Sequence, residues 1–441
     1  MTDFANLLDS EVYDPAAPPG APPAETDGAL PDDPEKLTRV GIALRDGGDL
    51  AGAETVFQAL IDRFPGMVFG WQEMAVLRLM SGRGDEALEL RRRALDVAPY
   101  DLLARKNLAF QLLDRGEPQH AAEVLNTHPD RRPAAVAAVR ALVQFVDFVT
   151  DHPRNATVAL VERFERSGRY LIGEALGARI TGAVEGGEPF SLIRLGDGEG
   201  AWLSAGEADE TRFAALYEAN RRAILHVWFG SDALYRSRFF TGLCERLRAA
   251  MACCDVIGLP SGLRLYNEYR NQSIRSIPPC VNILRALTPR LEGDDAAQFC
   301  GQDAHLDLHL NGFWPKLLTM PTTFGVITCH PQLGYRLADR FGSRVTAALL
   351  VPEEKGFSQI AGVSGMSEPH YPGAFLRILR RIDEEAQRAR VWLVAAGYLG
   401  KLYCDAIKRQ GGVALDVGSI VDGWSGKVTR PTMTRIEQFQ L

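Results

Sequence analysis

The sequence predicts two architectures in one chain: an all-α array of helix pairs, followed by an α/β domain built on a mostly parallel sheet. Three observations lead there. Small residues, glycines and prolines recur in register at a spacing of 34 across residues 34–131. From about Pro189 onward, short β-rich runs alternate with helical ones. The length of 441 residues also suits two or three domains rather than one.

Residues 1–33 read as a disordered, acidic, Pro/Ala-rich tail. Pro stands at 15, 18, 19, 22, 23 and 31, and Met1 to Glu35 holds nine acidic residues with no Lys or Arg. Such a segment has too little apolar surface to offset the entropy of ordering it. Its acidity accounts for the formal net charge of −7, leaving 49 Lys+Arg against 47 Asp+Glu in the rest of the chain. A near-neutral body gives no support for a nucleic-acid partner recruited by phosphate neutralisation.

Residues 34–131 hold the repeat. Gly41, Ala75 and Ala109 fall in register, as do Gly48, Gly82 and Gly116, then Ala53, Ala87 and Ala121, and Pro65 with Pro99. The small residues let two helices approach closely, the glycine ends the first helix of a pair, and the proline closes the second. Trp71 followed by Ala75, Gly82, Ala87, Ala94 and Pro99 resembles a tetratricopeptide (TPR) repeat, with about three copies in all. The resemblance implies a solenoid that recruits a protein partner; packing on the neighbouring domain or self-association is the alternative.

Residues 132–185 read as capping and connecting helices, over Pro133–Thr150 and Ala156–Val184. No run in the chain reaches the roughly 18 uninterrupted apolar residues of a membrane span, and the N-terminus lacks the charged and apolar regions of a signal peptide. No membrane span and a cytoplasmic location are expected. The seven cysteines, an odd number without a CxxC pair, agree with a reducing compartment and read as buried apolar fillers.

Residues 186–441 form the α/β domain, with strands expected at Phe190–Leu195, Asp255–Leu259, Thr323–Thr328, Thr346–Val351, Val391–Ala395 and Val413–Val417. Helices are expected at Tyr235–Met251 and Gly373–Arg388. Ligands of such sheets sit beyond the carboxyl ends of the strands. There the first strand runs into Arg194-Leu-Gly-Asp-Gly-Glu-Gly200. Asp197 and Glu199, one glycine apart, can turn to one side as hard oxygen ligands for Mg²⁺ or Mn²⁺, with Arg194 steadying them or a phosphate. Ordinary turn chemistry and a helix start are the alternatives for the same residues. A second loop, Ala395-Ala-Gly-Tyr-Leu-Gly-Lys401, places Gly397 and Gly400 for close backbone approach and Lys401 beside a diphosphate, while Asp416 and Asp422 follow the last strand. It matches neither the Walker A nor the GxGxxG pattern.

Arg194-Leu-Gly-Asp-Gly-Glu199, together with the Gly397–Lys401 loop and the Ala414–Asp422 run, resembles the GT-D glycosyltransferases over about residues 186–425. The resemblance implies a Rossmann-like fold, a D-x-E metal pair at Asp197 and Glu199 holding Mn²⁺ or Mg²⁺, and a nucleotide diphosphate sugar donor, a UDP-sugar above all. Arg194, Gly397, Gly400, Lys401 and Asp416 are then the expected donor-binding residues. The base that takes the proton of a protein or glycan acceptor is sought among His330, His370, Asp422 and Glu268. His305-Leu-Asp-Leu-His309 reads as the polar face of a strand or helix. Two other activities fit the same residues: an adaptor whose α/β domain binds a nucleotide or sugar phosphate without catalysis, and a metal-dependent phosphohydrolase.

Overall fold

A computed structural model describes residues 30–429 apart from 205, 294, 295 and 387. Most of the expected acidic tail therefore lies outside the described residues. Its last residue, Asp33, has a definite job: its carboxylate accepts from the Glu35 and Lys36 amides and caps the first helix. The chain divides into two compact units, a helical one ending at Asp151 that also takes in Arg212–Leu216 and Arg270–Ile274, and a sheet unit comprising the rest from His152.

The helical unit contains three successive pairs: Pro34–Asp46 with Leu50–Arg63, Val68–Met80 with Gly84–Val97, and Leu102–Asp114 with Pro118–Asn126. Gly48, Gly82 and Gly116 all adopt positive φ in the turns within the pairs, which is why glycine recurs there. Ala53, Ala75, Ala87, Ala109 and Ala121 are fully buried. A methyl group on Gly41 would land on the Phe57 ring, so the first pair packs closer than any other residue permits. The helix Pro133–Asp151 caps the third pair, with Phe145 against Phe110 at 5.4 Å between ring centroids. By length and mean composition it could cross a membrane, although Arg140, Gln144 and Asp147 interrupt its apolar residues. Its apolar face, including Ala138, Leu142, Phe145 and Phe148, is buried among the helices of this unit. Gln144, on the same helix, accepts from the Ala215 and Leu216 amides, and Gln272 donates to the Phe110 carbonyl; these bonds tie the two short segments to this unit.

Among the described residues the sheet unit carries seven strands, β1 (Phe190–Arg194), β2 (Val256–Leu259), β3 (Gln298–Gly301), β4 (Thr323–Thr328), β5 (Arg344–Leu350), β6 (Val391–Val394) and β7 (Val413–Asp416), all parallel in the order 3-2-1-7-6-4-5. Six were legible from apolar runs. The edge strand β3 was not, because its four residues, one of them Gln298, give no pattern of their own. The expected helix Ala156–Val184 is in fact two, Arg154–Glu165 and Gly173–Glu185. Gly168 at positive φ breaks it, and the segment between them exchanges backbone hydrogen bonds with Phe299 of β3.

Alternate residues of each strand enter two separate cores. Ile193, Ile257, Ile327, Trp392 and Ala414 face one, Leu192, Val256, Val326, Leu393 and Leu415 the other. The period of two and burial on both faces are what a helix-covered parallel sheet demands. The chain runs β1, β2, β3 toward one edge and begins β4 on the other side of β7. The β1/β7 boundary is thus where the strand order reverses, and a ligand crevice is expected at their carboxyl ends.

Candidate functional site

A cavity of about 820 Å³ opens at that boundary, a volume in the range of small-molecule sites. Arg194, Asp197, Glu199, Glu268, His370, Gly397, Lys401, Asp416 and Asp422 all line it, so the motifs from the two ends of the sheet unit meet in one place. Gly400 and His330 stand behind the wall.

The first motif folds as a single helical turn, Asp197–Gly200. Its glycines are packing residues: a methyl on Gly198 would strike the Trp228 ring, and one on Gly200 the Pro279 carbonyl. Glu199 turns back into the protein. Its Oε2 accepts from the Gly196 amide at 2.9 Å, and its Oε1 lies 2.8 Å from Lys401 Nζ. Lys401 is buried and has three acceptors for its three donors: Glu199, Asp416 Oδ2 at 3.3 Å and the Gly397 carbonyl at 3.0 Å. Arg194 is equally committed, donating to Asp416 Oδ1, the Asp416 carbonyl, the Gln302 carbonyl and His305 Nδ1. A methyl on Gly418, which has positive φ, would land on the Arg194 guanidinium, so glycine there makes room for the clamp.

These contacts give the two cations a further role. Arg194 and Lys401 act as the internal counter-ions of Glu199 and Asp416, joining β1 to β7, while both also line the cavity. Burial alone would raise the Asp416 pKa, but Arg194 and then Lys401 outweigh it and hold it below the ordinary value. The helix opening at Gly397 also faces an anion, the chain's own Glu354 carboxylate, which lies against Gly397. Gly400 has room for a methyl, its nearest neighbour being Val394 at ordinary contact distance, so close approach does not explain it.

Asp197 is the member of the acid pair that reaches into the cavity, 46 % exposed, with Oδ2 3.5 Å from Arg264. Arg264 also pairs with Glu268 at 3.3 Å. Burial opposes the Arg264 charge, but Cys280 and then Asp197 and Glu268 outweigh it and keep the pKa above its ordinary value. Arg264 was missed in the sequence, although it follows β2 as the strand-end rule would suggest. Arg275, Asp303, Glu353 and Glu354 were missed too. Glu353 accepts from the Ser364 hydroxyl and amide, the Gly362 amide and Lys355. Against the effect of burial, these donors, Ser364 first, bring its pKa down to about 2.

The wall carries eight carboxylates against four Lys and Arg side chains. The excess of carboxylates favours a cation in this field. The donor set fits such an ion in part. Asp197 offers an open carboxylate, whereas Glu199 already has a hydrogen-bond partner on each oxygen and an ammonium beside one of them.

The base candidates separate as well. His330 Nε2 lies 2.7 Å from Asp422 Oδ1, and Thr429 Oγ1 donates to Asp422 Oδ2 at 2.6 Å, so two residues named separately from the sequence form one dyad. His370 is hydrogen-bonded to the Tyr403 hydroxyl at 3.1 Å. Burial and then the Arg377 guanidinium pull its imidazole down to about 3. His305 and His309 lie on the helix Ala304–Leu310, with His305 turned to Arg194. Six cysteines are buried as expected, but Cys253 is exposed.

No family model matches the sequence, and no curated protein matches it. Among solved structures, a mutant of the Thermobaculum terrenum O-GlcNAc transferase aligns over 88 % of this chain and 76 % of its own, at 13 % identity and a TM-score of 0.25. A similarity of that size is no guide to activity.

Proposed function

We propose that the sheet unit is a glycosyltransferase that moves a sugar from a nucleotide diphosphate sugar, with UDP-sugars the favoured donors, to a protein or glycan acceptor. The helical repeats then recruit the acceptor or a partner protein. The observation that carries this reading is the meeting of the Asp197–Gly200 turn, the Gly397 helix start and the β7 end around one cavity of nucleotide-sugar size.

Breaking the bond to the anomeric carbon builds negative charge on the departing diphosphate. Arg264, at the cavity wall beside Asp197, would meet it. Asp197 would hold Mn²⁺ or Mg²⁺, which supplies Lewis-acid stabilisation of the same charge. Asp422 orients the His330 imidazole, and this dyad is the pair suited to take the acceptor proton.

The test is incubation of the full chain with labelled nucleotide sugars, Mn²⁺ and cell extract, scored as sugar on macromolecules. Transfer is expected, and Asp197→Asn should lower it by about 100-fold or more. Full transfer by that variant would remove the metal assignment, and absence of donor binding in calorimetry would remove the reading. The second reading, a nucleotide- or sugar-phosphate-binding adaptor, draws on the mutual neutralisation of Arg194, Lys401, Glu199 and Asp416. It requires donor binding without transfer. Phosphate release without an acceptor would instead identify a phosphohydrolase.

A further inference from the structure

Just past β4, the chain places Cys329 and His330 side by side, and the helix Ile420–Trp424 after β7 brings Asp422 to them. All three are buried, and one ligand atom from each lies within 4.8 Å of the others. Tetrahedral Zn²⁺, with bonds of about 2.0–2.3 Å, holds its ligand atoms roughly 3.3–3.8 Å apart, so small side-chain rotations, which part the 2.7 Å His330–Asp422 pair, would form the set. We infer that Cys329, His330 and Asp422 form a binding site for one Zn²⁺-class ion, with its fourth position open to the main cavity.

The donor chemistry selects the ion. A thiolate, an imidazole and a carboxylate suit a borderline-soft cation, whereas Mg²⁺ takes oxygen donors and keeps most of its waters. Cys329 and Asp422 both line the cavity, which gives the ion a route in and leaves its fourth position facing a ligand. Supporting groups are already in place. Thr429 donates to the Asp422 oxygen that does not meet His330, and the His330 amide donates to Thr328 Oγ1 at 3.2 Å. Such outer contacts orient metal ligands. The acid excess of the wall draws cations toward the site.

Binding is balanced by one proton. The Cys329 thiol loses its proton to solvent, while the imidazole N–H moves from Nε2, where it meets Asp422, to Nδ1. The inference rests on these three side chains and not on glycosyl transfer. If the dyad serves as the base, the ion takes His330 out of proton transfer, and Zn²⁺ would inhibit.

The test is titration of the metal-stripped full chain with Co²⁺, in a Cys253→Ser background that removes the exposed thiol, followed by Zn²⁺ competition and metal analysis after dialysis. One equivalent is expected to give a thiolate-to-Co²⁺ charge-transfer band and to survive dialysis, separate from any ion at Asp197. Cys329→Ser should abolish that band and weaken binding by about 100-fold or more, and Asp197→Asn should leave the band unchanged. Absence of the band in the parent, its persistence in Cys329→Ser, or its loss in Asp197→Asn would each overturn the inference. No donor sugar enters the measurement, so failure of the glycosyltransferase reading leaves it intact.

Discussion

Asp416 and Lys401 are buried side by side near the end of β7; Asp416 owes its charge first to Arg194 and then to Lys401, and Lys401 owes its own first to Asp416. Burial opposes the Lys401 charge, yet Asp416 and then Glu199 outweigh it and raise its pKa. The stability this gives is present below the unfolded lysine value of about 10.4 and is lost as pH rises through the folded one. Asp416, lowered in the fold, stabilises above about 3.9 and loses its contribution as pH falls through its folded value. Replacing Lys401 by Met leaves Glu199 without its cation and Asp416 with Arg194 alone. Lys401→Met should cost about 3–5 kcal/mol near neutral pH, and the deficit should shrink only below about pH 3.9, as pH falls through the folded value of Asp416. Urea unfolding above and below that pH checks this; an equal loss at both would mean the side chain acts by packing. That Lys401 belongs to the site was legible from its loop. Its role was not, since its partners Glu199 and Asp416 come from the turn after β1 and from β7, far apart in sequence.

At the level of elements, the turn Asp197–Gly200 shows how a motif can be right in place and incomplete in reason. Asp-Gly-Glu was readable as a carboxylate pair at a strand end. Why glycines flank the acids became visible only with the helices Ala214–Phe229 and Ile277–Glu292 on either side of the turn. A methyl at Gly200 would press on the Pro279 carbonyl, a backbone atom that cannot swing away. Gly200→Ala should destabilise the chain by about 1–3 kcal/mol and displace Asp197, so donor binding measured well below the melting temperature should also weaken. Gly400→Ala is the contrast: with room for the methyl and a better helix former in place, its stability should stay within about 1 kcal/mol of the parent or rise. If the two variants behave alike, the packing account of the first glycine fails.

For the whole molecule, each unit has its own core: Phe57, Met74 and Leu77 in the helical array, and two layers on the faces of the sheet. Separate cores predict unfolding that is not two-state, with a calorimetric enthalpy above the van't Hoff value. Lys401→Met should shift only the transition of the sheet unit, and a single transition moving as one would refute the division. The sequence by itself determined the two architectures, the three helix pairs, six of seven strands and the two motifs of the cavity. Those are properties of period and local chemistry, written in neighbouring residues. Tertiary structure alone decided that Arg194 and Lys401 are counter-ions, that Asp197 and not Glu199 opens to the cavity, that Arg264 stands beside it, and that Cys329, His330 and Asp422 meet. Those facts depend on which strands lie next to one another, and the order 3-2-1-7-6-4-5 is fixed by packing across the sheet rather than by any local run of residues.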